Sequence, residues 1–184
     1  MFKFLKKLFK KPMQILPNPR WLDLGQQYIG TTEIKGKDHN QTILGFWKSI
    51  KMGGIKNDEI AWCAAFVGAM LEMSGVRSTR SESARSYAQW GLELSGPCVG
   101  AIVVFWRDHP DSHFGHVGFV VGRDQKGNLM VLGGNQKDAV NIMPFALDRV
   151  VGYHWPPNVL APKNPKFDDL PVIASDGKVS KNEA

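Results

Sequence analysis

The feature that most constrains the fold of this chain is a change of hydrophobic period at Pro97. Before it, apolar residues recur at helical spacing; after it, they collect in short β-rich runs. Asn18 followed by Pro19 opens a helix expected over 19–29 and closed by Gly30. From about Asn40, Ile43, Leu44, Phe46, Trp47 and Ile50 fall mostly on one side of a second helix that ends at Gly53 and Gly54. The stretch WCAAFVGAMLEMSG is the most apolar, with Cys63, Phe66, Val67, Met70 and Leu71 at helical spacing and Gly75 as terminator, so it is expected to be the central, buried helix. Ser81 caps a short amphipathic segment carrying Ala84, Tyr87, Ala88 and Trp90. Runs at 101–106, 116–122, 129–133, 140–143 and 150–155, parted by polar turns, read as an antiparallel meander. Helices first and strands afterwards predict an α+β domain, with N-terminal helices packed on a C-terminal antiparallel sheet.

A length of 184 residues suits one domain. Its formal charge of +6 would suggest an anionic partner if it were spread over the fold. It is not. Residues 1–20 hold Lys3, Lys6, Lys7, Lys10, Lys11 and Arg20 without an acid, which leaves the rest of the chain formally neutral. A nucleic-acid partner would call for a basic face on the domain itself, so none is expected. The arm, 1–17, interleaves Phe2, Phe4, Leu5, Leu8 and Phe9 with lysines as a short amphipathic helix would. Its charges break every apolar run, so it is neither a secretory signal nor a bilayer span. It reads either as a contact for anionic lipid or lipopolysaccharide through residues 1–11, or as a solvated terminus. The body is expected at 18–157, followed by a proline-rich tail at 158–184 expected to be disordered.

Two cysteines make no disulfide framework. Cys98 lies ahead of a strand with no acid–base partner in sequence and reads as structural. Cys63 opens the apolar helix, where unpaired N–H groups and the positive end of the macrodipole favour a thiolate. His116, in FGHVGFVVG, stands at the entrance to an apolar strand between Gly115 and a second glycine, Gly118. Taken alone, Cys63 fits a buried inert thiol and His116 a half-buried spacer. Together they are the two pieces a thiol hydrolase draws from different parts of a fold. Asn135, in LGGNQ at the end of the next strand, can neighbour His116 across an antiparallel pair and fix its tautomer. The same glycine-rich segment also reads as a simple turn with Asn135 in the left-handed conformation. A rival constellation is the loop RDHPDSHFGH, whose Asp108, His109, Asp111, His113 and His116 could ligate zinc, although no regular HxxxH spacing is present.

The order WCAAFV, apolar strand, GHVGFVV, then LGGNQ with VNI resembles the CHAP family of cysteine, histidine-dependent amidohydrolases/peptidases, above all those of phage endolysins and related cell-wall hydrolases. The resemblance covers about 19–157 and excludes arm and tail. It implies a papain-like fold in which Cys63 is the nucleophile, His116 the general base and then acid, and Asn135 the orienting residue. Many members carry Glu two positions before that Asn, where this chain has Gly133, so a Cys-His-Asn triad is implied rather than an acid-assisted site. The substrate implied is an amide of bacterial peptidoglycan, cut by a monomer without a cofactor. No DxDxDG-type calcium loop is present. The location implied is the host cytoplasm before lysis, with action on the wall in the periplasm. Three other readings stay open: an inactive wall-binding module on the same fold, a metal-dependent hydrolase using 108–116, and a membrane-active protein working mainly through its lysine arm.

Overall fold

The computed structural model describes residues 17–180. The basic arm, apart from Pro17, therefore lies outside the described residues. Among the described residues three helices come first, α1 (Arg20–Gln26), α2 (Gln41–Ser49) and α3 (Cys63–Met73), followed by a 3₁₀ turn at Ala84–Gln89. Six strands follow among the same residues: β1 (Leu92–Leu94), β2 (Ile102–Trp106), β3 (Gly115–Arg123), β4 (Leu129–Gly133), β5 (Asn141–Phe145) and β6 (Val150–Trp155). The α+β class is as the period change predicts. No helix among the described residues is long and apolar enough to cross a membrane.

Local chemistry explains where the helices begin and end. The Asn40 side chain accepts from Thr42 N at 2.9 Å, capping α2, and that helix turns Ile43, Phe46 and Trp47 inward. α1 stops at Gln26, short of the expected residue 29, because the chain leaves the helix to pair with the β4–β5 loop: Gly30 N donates to Val140 O and Val140 N to Thr31 O. α3 is buried without interruption from Cys63 to Leu71. A helix apolar all round must have neighbours on every side, and α3 touches α1, α2, β3 and β4. Phe66 meets Phe46 of α2 at 5.5 Å and Phe119 of β3 at 6.2 Å, so one side chain joins helices to sheet. Each such fully buried aromatic contributes about 1.5–3 kcal/mol.

The sheet order is β1-β6-β2-β3-β4-β5, and every named pair is antiparallel. β2 to β5 form the expected meander. β6 departs from it, returning to insert between β1 and β2, with Ile102 opposite His154 and Leu92 opposite Trp155. β1 itself, three residues from a polar stretch, carried no recognisable pattern.

The tail also departs from expectation. Its described part, 158–180, is an ordered strap. Ile173 N donates to Arg123 O at 2.8 Å and Arg123 N to Pro171 O at 2.9 Å. Ser175 Oγ donates to Asp124, Lys126 Nζ to Asp176 O, and the buried Ser180 is fixed between Pro144 O and Arg149 Nη1. Prolines exclude helix and central strand from this segment, but an extended chain can still satisfy its polar groups on the edge of a neighbouring sheet.

Candidate active site

Cys63 is the first residue of α3 and is 7% exposed. Phe66 N closes the first turn on Trp62 O at 2.9 Å, and the amides before it belong to the set that a helix cannot pair internally. They stand in the first turn of the helix that carries the thiol. No side chain caps this helix start. What holds it is the packing of Trp62, a fully buried ring whose Nε1 donates to Glu33 Oε1 at 2.7 Å. Burial raises the Glu33 carboxyl above its usual range, against the lowering effect of that indole bond, and the charges of Asp138, Asp58 and Glu59 push the same way as burial. Asp58, buried on the segment leading to Cys63, accepts from Ile34 N, Asn40 N and His39 Nδ1 at 2.8–2.9 Å. Burial works against its charge, but the two amides and His39 outweigh it and hold the carboxyl below the ordinary value. Asp58 thereby ties the loop after α1 to the approach to the thiol.

His116 is fully buried in β3, opposite Phe105 of β2. Its ring lies parallel to Phe145 at 5.2 Å and is stacked near Phe105 at 6.4 Å. The Gly133–Gly134 pair brings this imidazole and the start of α3 to one place. A Cβ at Gly134 would meet the Trp62 ring at 2.5 Å and Phe66 Cβ at 2.6 Å. A Cβ at Gly133 would meet Gln136 Oε1 at 2.5 Å and His116 Nε2 at 3.0 Å, so any larger residue there would take the space of Gln136.

Gln136, not Asn135, touches the imidazole. Its Oε1 lies 3.0 Å from His116 Nε2. Asn135 adopts φ 57, the left-handed turn conformation, and that turn advances the chain so that the next side chain faces the ring. The polarity of the contact follows from its neighbours. Asn141 Nδ2 donates to the Gln136 carbonyl at 2.7 Å, which leaves Asn141 Oδ1 as acceptor toward Gln136 Nε2 at 2.8 Å. Gln136 Nε2 also donates to Asn141 O at 2.8 Å and Val131 O at 3.3 Å. With its NH₂ committed to carbonyl groups, the amide can present only oxygen to His116. The ring must therefore carry its proton on Nε2, which makes Nδ1 the basic nitrogen.

The other sequence candidates lie elsewhere. Asp108, His109, Asp111 and His113 are exposed, and among the described residues no three His, Cys, Asp or Glu side chains converge to hold a metal ion. Burial pushes the Cys98 thiol up to about 11, which keeps it protonated and unreactive near neutral pH.

N-terminal helices packed against an antiparallel sheet, with a cysteine at a helix start and a histidine at a strand start, form an α+β domain of the papain-like kind. Residues 55–135 match the family model of the CHAP domain. It spans Cys63, His116 and Asn135 and ends one residue before Gln136. No curated protein matches the chain. A CHAP domain implies hydrolysis of peptidoglycan by an amidase or peptidase activity.

Proposed function

We propose that this protein cuts an amide of the peptidoglycan stem peptide or cross-bridge through an acyl-enzyme on Cys63, with His116 as base and then acid and Gln136 as the residue that orients it. The observation that carries this reading is the bond between His116 Nε2 and an amide oxygen that can only accept. With Nε2–H pinned, His116 Nδ1 takes the thiol proton, the Cys63 sulfur attacks the carbonyl carbon, and first-turn amides including that of Cys63 bind the developing oxyanion. His116 gives its proton to the departing amine as the C–N bond breaks. It then draws a proton from water, which attacks the thioester and restores the thiol. Gly133 supports an amide-oriented site, because the space that a glutamate would need there is filled by Gln136.

The test is loss of turbidity of purified peptidoglycan, with release of new amino groups as the chemical readout. Cys63→Ala is expected to lower the rate at least about 10³-fold. Full activity of Cys63→Ala together with its abolition by chelators would reject the thiol mechanism in favour of the metal reading.

The same proposal includes an endolysin-like role, in which a monomer made in the host cytoplasm reaches the wall in the periplasm. The basic residues of 1–11, with no acid among them, support contact with anionic membrane or lipopolysaccharide. Removal of residues 1–15 is expected to lower activity on intact cells and to spare activity on purified walls. Equal effects on both substrates would remove the arm from the proposal.

A further inference from the structure

Three residues of the loop between β4 and β5, Asn135, Lys137 and Asp138, take left-handed φ values of 57, 54 and 59. L residues adopt that conformation reluctantly, so a turn built this way keeps its shape only where other groups bond it. Gln136 sits among them, and its side chain lies over Gly133 with its oxygen on the imidazole. The segment after α1 holds the far part of the turn, through Glu33 N to Asp138 O at 3.0 Å and Gly30 N to Val140 O at 2.9 Å. Gln136 itself is held chiefly by one residue, Asn141.

Asn141 opens β5 in register with Gly133, the glycine whose missing side chain leaves room for Gln136. Asn141 Nδ2 donates to Gln136 O at 2.7 Å, while Gln136 Nε2 donates to Asn141 O and to Asn141 Oδ1, each at 2.8 Å. Both short acceptors of the Gln136 NH₂ group thus belong to the same residue, and the Val131 carbonyl at 3.3 Å is a longer contact. The Asn141 amide works in one sense only. Reversed, its NH₂ would face the Gln136 NH₂ and its oxygen the Gln136 carbonyl, donor on donor and acceptor on acceptor. Gln136 is fully buried, whereas Asn141 is partly exposed and lines the groove between β5 and residues 174–178 of the strap. The amide that faces His116 is therefore gripped, backbone and side chain together, from the rim of the sheet.

We propose that Asn141 is a positioning residue for the hydrolysis: it holds Gln136 against His116 and acts on the thiol through that amide. This rests on the reading of Gln136 as the group that orients His116. A fixed Gln136 oxygen accepts from Nε2–H and favours the protonated ring, so the Cys63 proton moves to Nδ1 more readily. Loss of the Asn141 amide frees Gln136 to leave the ring and returns Cys63 toward an ordinary thiol.

The test is a double-mutant cycle on the full-length protein, read by the rate at which iodoacetamide alkylates Cys63 at about pH 6, where an ordinary thiol is almost wholly protonated. Cys98, kept protonated by burial, does not compete. Asn141→Leu has the same branched shape without hydrogen-bonding groups, and is expected to slow alkylation about tenfold. In a Gln136→Ala background the same substitution is expected to change the rate by less than about twofold. Asn141→Ser, shorter and neutral, is carried through the same cycle and decides the matter if Asn141→Leu does not fold. On purified wall, kcat of the Asn141 variants is expected to fall about tenfold with KM little changed. An unchanged alkylation rate in the protein that keeps Gln136 overturns the proposal. So does equal slowing with and without Gln136, the mark of a loop that has merely loosened. Failure of the underlying readings looks different: Gln136→Ala then alkylates at the wild-type rate, or wild type leaves the wall uncut while the cycle still couples Asn141 to Gln136.

Discussion

At the scale of single residues, the site depends on which atom of one amide faces one imidazole. Gln136→Ala is expected to lower kcat/KM about 10²-fold with little loss of melting temperature, since the ring keeps its stacking on Phe145 but loses the group that selects its tautomer. Gln136→Glu is not conservative here, because its second oxygen would face Asn141 O, Asn141 Oδ1 and Val131 O. It is expected to be less active than wild type across the neutral range, and a pH–rate profile checks this. The helix start at Cys63 and the strand start at His116 were legible in the sequence because each is marked by its own neighbours, the first by an apolar run at helical spacing and the second by flanking glycines. Gln136 was not. A left-handed residue shifts which side chain points at a target, and sequence shows the turn without showing the direction it leaves in. Asp58 and Glu33 were hidden for another reason: each is defined by a partner 18 to 29 residues away, beyond any local pattern.

At the scale of elements, the three helices and the strands from β2 to β6 could be read because their apolar periods are local, whereas the place of β6 could not, since strand pairing across the chain has no local signature. β6 brings a titratable group into the sheet. His154 is 3% exposed, and burial lowers its pKa below the ordinary histidine value, more than the nearby Glu93 charge and a backbone bond at Trp90 raise it. A histidine with a lowered folded pKa binds protons more readily when unfolded, so stability falls as pH drops below about 6.5. Denaturant midpoints between pH 7.5 and 5 should decline for the wild type and less steeply for His154→Gln. A second group acts further down the scale. Arg80, bonded to both oxygens of Glu72 near the end of α3, lowers that carboxyl to about 2, despite partial burial. Its contribution is present above the usual glutamate range and lost as pH falls toward 2.

For the whole molecule, the strap makes the C-terminal segment part of the domain. Composition pointed the other way, because proline and polar residues report what a segment does alone and not what an adjacent sheet edge offers it. Deleting 160–184 removes the buried Leu170 and the bonds to Arg123, Asp124 and Pro144, and a melting temperature lower by about 10 °C is expected by calorimetry. The insertion of β6 between β1 and β2 bears on how the protein is made. A chain leaving the ribosome supplies Cys63 and His116 long before Val150–Trp155, and until that strand arrives the middle of the sheet is open. The sheet that carries His116 therefore stays incomplete until Val150–Trp155 has been made, so the scaffold of the site is assembled only after every one of its own residues is already in place.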